Sequence, residues 1–270
     1  MMTNTDTADY LRSELKQIQQ WELDQKGLFF WEKLGRLPFA MLDRITPKFL
    51  QDKIGTALDE LGSYIQSGGR YLVNKEQMYR KFFPHDERDE AAGLNRIGEL
   101  PLSRMDEMAG SIIASSSKMA AAQGATTGFG GLFTLAIDIP LLLGISLKAL
   151  QDIALSYGYD PTEQAERVFI VKCLQFSSSD IVGKKAILED LAVFHMGERS
   201  GQVISQLQGW REVMLTYRDN FGWKKMFQMI PIAGMLFGAY LNRSTLQDVA
   251  ETGKMMYRKR RIIEKLEAEA

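Results

Sequence analysis

The sequence predicts an all-α protein: a single helical domain of about eight to ten helices around a central glycine-rich hairpin. Three observations carry that reading. Apolar residues recur at three- and four-residue spacing through most of the 270-residue chain, the period of amphipathic helices. Polar cap residues followed by proline, as in Thr46-Pro47 and Asp160-Pro161, mark helix starts. No stretch alternates apolar and polar residues in the manner of a half-buried strand.

Composition narrows the function classes. Apolar content of 45% and charged content of 25% are those of an ordinary globular protein. A formal net charge of -1 is unlike the basic balance of a nucleic-acid binder. The one cysteine, Cys173, leaves no intrachain disulfide and fits a reducing compartment. The N-terminus, MMTNTDTADY, lacks the basic start and apolar core of a signal peptide, so the chain is expected inside the cell.

Taken in order, residues 7–33 read as a first helix with Leu11, Leu15 and Ile18 on one side, broken by Gly35 and Pro38. Thr46-Pro47 opens a second, whose Leu50, Ile54, Leu58, Leu61 and Ile65 form the cleanest apolar stripe in the chain, and Gly68-Gly69 ends it. A charged break from Phe82 to Glu90 leads to a short helix near 88–98. Ser103 with Asp106 has the spacing of a capping box and opens a helix carrying Met105, Met108, Ala109 and Ile112.

That helix enters the most apolar part of the chain. Between Lys118 and Lys148 the only charge is Asp138. Ala120, Gly124 and Gly128 recur every fourth residue, a flat face on which another backbone can pack closely. Gly130-Gly131 weakens any helix at that point. Asp138 and Pro140 then suit an N-cap and first turn, so a new helix is expected at Asp138, with Leu143, Leu147, Leu150, Ala154 and Tyr157 on one face. Gly158 suits a left-handed stop, and Asp160, Pro161 and Glu163 suit the cap and first turn of the next helix, which carries Phe169, Cys173 and Phe176. Two further helices are expected near 180–195 and 201–219. Then Lys225 and Arg243 bracket 17 uncharged residues that include Pro231, with Gly234, Gly238 and Asn242 four apart. A last helix is expected from about Thr245, ending in the basic run Arg258, Lys259, Arg260, Arg261 and an acidic tail.

These pieces together resemble the EcsC family of bacterial proteins. The resemblance rests on the glycine-rich run into Asp138-Ile-Pro140, on Tyr157-Gly158-Tyr159-Asp160-Pro161, and on Ile230-Pro231-Ile232-Ala233-Gly234 with Gly238 and Asn242. It covers about residues 30–260 and divides the chain into an N-terminal helical extension (1–29), the EcsC-like domain (30–262) and an acidic tail (263–270). The resemblance implies a helical fold and a setting near an ABC transporter or protein secretion system. It supplies no catalytic residues.

The residues themselves offer little chemistry. His195 and Glu198 have a metal-like H-x-x-E spacing, but Gly197 lies between them and no second pair completes a bundle site. The acidic run around His85 lacks the alternating ligands of a calcium loop. Cys173 lies on an apolar face, and no phosphate-binding glycine motif occurs. Neither a cofactor nor a metal is therefore expected. Asp138 reads first as a cap and second as a carboxylate in an apolar run.

Two functional readings stand. In the first, the protein is a non-enzymatic accessory, cytoplasmic and peripheral at the inner face of the cell membrane, whose partner is the lipid surface or a membrane transporter. Phe129, Leu132 and Phe133 would then dip into one leaflet, with Arg258, Lys259, Arg260 and Arg261 meeting anionic headgroups. The uncharged run of 19 residues, 119–137, approaches the length of a spanning helix, but alanine, threonine and glycine dilute it. In the second reading the protein is a soluble helical enzyme, hydrolase-like, with a dispersed site.

Overall fold

The computed structural model describes residues 6–25, 62–68, 73–84, 93–129, 132–178, 184, 187–188, 191 and 231–269; side chains are described for these apart from 128–129, 132–140 and 231–238. Every regular element among them is an α-helix. In chain order these are α1 (Ala8–Asp24), α2 (Lys75–Phe82), α3 (Gly93–Glu99), α4 (Leu102–Phe129), α5 (Leu132–Ser156), α6 (Gln164–Ser178) and α7 (Pro231–Ala268). The expected helix after Thr46-Pro47 is described only in its last turns, 62–67, which stop at Gly68 with φ +76°. The helix expected at 201–219 lies outside the described residues, as do His85, His195 and Glu198.

Three long helices form the frame. Asp106 of α4 meets both Tyr157, just past the end of α5, and Arg258 of α7. Some 14 residues further along α4, Ala120 shares a cluster with Leu142 of α5 and Leu246 of α7. Both partners therefore run antiparallel to α4, and α5 and α7 run parallel to each other. Leu150 against Gly253, and the Tyr157 carbonyl against Arg261, keep the same offset. The α4–α5 pair is the expected hairpin, and α7 lies along it in the largest interface among the described helices.

Small residues set how closely these helices approach. Ala120 and Ala149 are fully buried at the α4–α5–α7 seam. A Cβ added at Gly253 would lie 2.4 Å from the Leu150 Cδ2, so α7 seats a leucine where its own side chain would be. The main core joins Leu147, Leu150, Ile153 and Ala154 of α5 to Phe169, Cys173 and Phe176 of α6 and to Val249, Met256 and Tyr257 of α7. Leu11 and Ile18 of α1 are fully buried in that same core. α1 thus packs into that core, and α7 continues to Ala268.

Four helix boundaries differ from expectation, each for a physical reason. α5 starts at Leu132, so Asp138 and Pro140 lie inside a helix and Asp138 is not its N-cap. An interior proline forfeits one backbone bond, a cost near 3 kcal/mol. The buried residues from Leu142 to Leu155 supply packing that outweighs it. α7 is one helix of 38 residues, with Thr245 in its interior, because Leu246, Val249 and Ala250 are buried along one continuous face. Asp160 precedes α6 by a full turn: it accepts from the Thr162 backbone N–H at 2.9 Å, and its own carbonyl accepts from Glu163 N–H at 3.0 Å. Finally, α4 begins at Leu102, so Ser103 is not a cap. The Pro101 carbonyl starts the helix, proline has no side-chain acceptor, and the Asp6 carboxylate accepts from Leu102 N–H at 3.0 Å instead. The apolar pattern does not predict α2, which Asn74 caps by accepting from Gln77 N–H at 3.2 Å.

Gly158 behaves as its sequence context foretells. Its φ is +80°, Gly158 N–H donates to the Leu155 carbonyl at 3.0 Å, and Tyr159 N–H donates to the Ala154 carbonyl at 3.0 Å, a Schellman stop. A Cβ there would also lie 2.8 Å from the Gly98 nitrogen and 3.0 Å from the Leu94 carbonyl oxygen of α3, backbone atoms that cannot turn aside. Gly158→Ala is therefore expected to cost more than the ~1–2 kcal/mol of the left-handed conformation alone. Gly110, mid-helix in α4 with nothing within 4 Å of an added Cβ, is the contrast. Gly110→Ala should gain up to ~1 kcal/mol, so the two thermal melts should move in opposite directions.

Candidate functional site

The sequence motifs fall at two ends of the α4–α5–α7 frame. At one end, the basic run of α7 meets the turn after α5. At the other lie the glycine-spaced halves of α4 and α7 and the first half of α5.

At the first end the cations of α7 turn inward. Arg258 is 9% exposed. Its Nε donates to the two Asp106 oxygens at 2.9 and 3.0 Å, and its Nη2 to Glu14 of α1. Asp106 also accepts from the Tyr157 hydroxyl at 2.6 Å. Burial, reinforced by the Asp106 charge, pushes the Tyr157 phenol well above its ordinary value, so it remains a donor. Burial alone would lower the Arg258 pKa, but Asp106 and Glu14 outweigh it and the group is held charged. Lys259 reaches Glu22 of α1 at 2.7 Å.

Arg260 points the other way, into an aromatic box. Its guanidinium carbon lies 4.1 Å from the Tyr159 ring centroid, 4.6 Å from Phe169 and 5.8 Å from Tyr257. It forms a two-pronged pair with Glu166 of α6 at 2.8 and 3.0 Å, and the Tyr257 hydroxyl donates to the same carboxylate at 3.2 Å. Cys173 is buried beside this pair, and burial pushes its thiol up, leaving an unreactive core group. Arg261 donates from Nε and Nη2 to the Tyr157 carbonyl at 2.9 and 2.6 Å, so it holds the turn that Gly158 makes. One turn on, Lys265 holds Asp6 at 2.6 Å and the Leu100 carbonyl at 2.8 Å.

The basic run is thus neutralised within the fold by carboxylates and carbonyls of α1, α4, α6 and the α5 turn. This corrects the reading of Arg258, Lys259, Arg260 and Arg261 as a headgroup-facing cluster. Sequence spacing could not reveal it, because these tertiary partners lie 94 to 244 residues away. Chemically the arrangement is a set of matched charges. Among the described residues, no three of the His, Cys, Asp and Glu side chains gather as a metal site would require.

Asp160 belongs to a smaller cluster beside the same turn. It accepts from Lys75 Nζ of α2 at 2.6 Å and from the Thr162 hydroxyl at 2.6 Å. Burial works to raise its pKa, but these bonds and the Lys75 charge outweigh burial and hold it below its ordinary 3.8.

At the second end, Gly124 and Asn242 are buried on α4 and α7, while Gly128, Pro231, Gly234 and Gly238 are placed only as helix backbone. The side chains of Phe129, Leu132 and Phe133 lie outside those described, as does that of Asp138. On the register above, Tyr240 of α7 lies level with Ala125 of α4, so the start of α7 sits beside the hairpin tip. Both uncharged runs therefore converge at one end of the bundle. No described helix is long and apolar enough to cross a membrane.

A helical bundle with this motif order defines the class, and comparison with known proteins identifies it. The chain belongs to the EcsC protein family, whose model matches residues 12–262. Among relatives, it is 54% identical over 262 residues to "Uncharacterized protein YdbA" of Bacillus subtilis (strain 168), covering 97% of this chain and 96% of that one. It is 32% identical over 158 residues to "Protein EcsC" of the same organism, covering 58% of this chain and 64% of that one. No solved structure matches the chain.

Two outcomes test the charged end. Arg258→Met removes the cation between two largely buried carboxylates and should cost about 3–5 kcal/mol in chemical denaturation. Adding Asp106→Asn and Glu14→Gln should restore part of that loss; no restoration would mean the pairing is not what holds these helices. Asp160, with its depressed folded pKa, contributes stability that is full above its ordinary 3.8 and is lost as pH falls through the lower folded value. Asp160→Asn should therefore be less stable than wild type at neutral pH, with the gap narrowing as pH drops below about 4. A gap that is constant with pH would remove the ionised pair from the account.

Proposed function

We propose that this chain is a non-enzymatic accessory protein, peripheral at the inner face of the cell membrane and serving an ABC-type transporter or a secretion system. The observation that carries the reading is the convergence of two uncharged helical runs at one end of the frame. From Met119 to Phe129 of α4 and from Pro231 to Asn242 of α7, no charged residue occurs. In α5, Asp138 is the single charge between Leu132 and Leu147. Soluble bundles ordinarily close their ends with charged side chains. Here the closing charges are spent at the opposite end, around Arg258.

Length argues for a peripheral mode. The uncharged part of α4 rises only ~16 Å and that of α7 ~18 Å, against ~30 Å for the hydrocarbon of a bilayer. The transporter context is what family membership suggests, and the single buried cysteine fits a reducing compartment.

Membrane fractionation of cells expressing the native chain provides the test. At least part of the protein should sediment with membranes at low salt. Complete recovery in the supernatant under those conditions would overturn the proposal.

A further inference from the structure

We infer that the outward face of α4 is the contact surface of a homodimer, in which two copies of this helix pack antiparallel about a two-fold axis between Ile112 and Ile113. The inference goes beyond the membrane reading and does not rest on it: it concerns a different face, and the side chains of that face are all described.

Away from the α4–α5–α7 seam, α4 presents Glu107, Ser111, Ala114 and Lys118, all exposed. Their spacing of four, three and four residues places them within ~60° of one another around the helix, the pattern of a helix–helix contact line. Glu107 and Lys118 stand ~16 Å apart along the axis, and the exposed positions between them are Ser111, Ala114 and Ser115 alone. A Cβ added at the neighbouring Gly110 would meet nothing within 4 Å. The outward face of a helix ordinarily carries long charged side chains, and this one is bare of them at its middle. The Ser115 hydroxyl donates to the Ile112 carbonyl of its own helix at 3.0 Å, so covering it strands no donor.

Charge selects the occupant, its direction and its register. Lys118 makes no ion pair among the described residues. Glu107 has the exposed pair with Arg104 at 3.1 Å, of a kind that holds weakly. In an antiparallel pair centred between residues 112 and 113, Glu107 of each copy stands opposite Lys118 of the other. Ser111 then stands opposite Ala114, and Gly110 opposite Ser115. Two reciprocal pairs of opposite charge flank a centre of small residues where the axes can come close. A parallel pair would set Glu107 against Glu107 and Lys118 against Lys118. A slip of one turn would leave all four charges facing small residues. A protein of different sequence would have to supply this pattern, and a second copy already holds it. The helices overlap over ~32 Å, from 102 to 123, and one helix per copy is a small interface, so the dimer should be reversible and dissociate on dilution.

The experiment is sedimentation velocity of the full chain in detergent-free buffer at low salt, over about a hundredfold range of concentration reaching ~100 µM. Wild type should pass from monomer to dimer across that range. Ser111→Arg with Ala114→Arg puts four guanidinium groups at the centre and should leave monomer throughout. Both positions being exposed, the melting temperature of the dilute variant should match that of dilute wild type. Glu107→Lys alone and Lys118→Glu alone should each weaken association at least about tenfold, and the two together should restore it, because the swap recreates both pairs with their signs exchanged. Damage to the monomer by either substitution would not cancel in this way.

Wild type that stays monomeric at the highest concentration would overturn the inference. So would a dimer that survives Ser111→Arg with Ala114→Arg, or a charge swap that fails to restore association. None of these outcomes bears on membrane fractionation, so the two proposals fail separately.

Discussion

The fold depends on neutralising four consecutive cations inside a helical bundle. Arg258, Lys259, Arg260 and Arg261 cover slightly more than one helical turn, so their side chains radiate in different directions from α7. Between them they reach three helices and a turn. Arg258 finds α1 and α4, Lys259 finds α1, Arg260 finds α6, and Arg261 finds the turn after α5. An unpaired charge at such burial is costly, so the bundle closes correctly only when all four partners arrive together. Apolar contacts alone would allow α1 to slide along its neighbours; matched charges admit one register. Buried pairs of this kind add little net stability over apolar packing, and their contribution here is to select the arrangement.

The same demand explains the unusual start of α4. Pro101 leaves the helix without a side-chain cap, and Asp6 supplies one from the far end of the chain. Lys265 holds that aspartate in place, so the N-terminus, the first turn of α4 and the last turns of α7 are one unit. Disturbing any of the three removes support from the other two.

Concentrating charge at one end leaves the other poor in it, with Asp138 the single charge between Leu132 and Leu147 of α5. There the helices approach through alanine and glycine, with Ala120 and Ala149 fully buried. The large apolar side chains of Met119, Leu141 and Tyr240 stand on the surface there. A bundle with one charged, internally wired end and one end poor in charge is polarised along its length. That asymmetry gives the functional reading its physical content.

By itself the sequence determined what depends on local spacing. Apolar period gave the helices, and the face from Leu143 to Tyr157 is buried as expected, but Gln151 and Ser156, expected on the other face, are fully buried too. Gly158 ends α5 in the left-handed conformation, and the glycine-rich break does separate the two arms of the hairpin. The ordered motifs were enough to place the chain in its family. Local rules failed where a cheaper tertiary solution existed. Asp138-Pro140 and Thr245 look like starts, yet continuous burial on either side carries the helices through them. Asp160 looks like a cap, but Lys75 of α2 draws it into a turn. The basic run looks solvent-facing because a one-dimensional sequence shows a charge but not its counter-charge. Only the tertiary structure brings Glu14, Asp106 and Glu166 to within hydrogen-bonding reach, and that decides which end of the molecule is left to meet a partner.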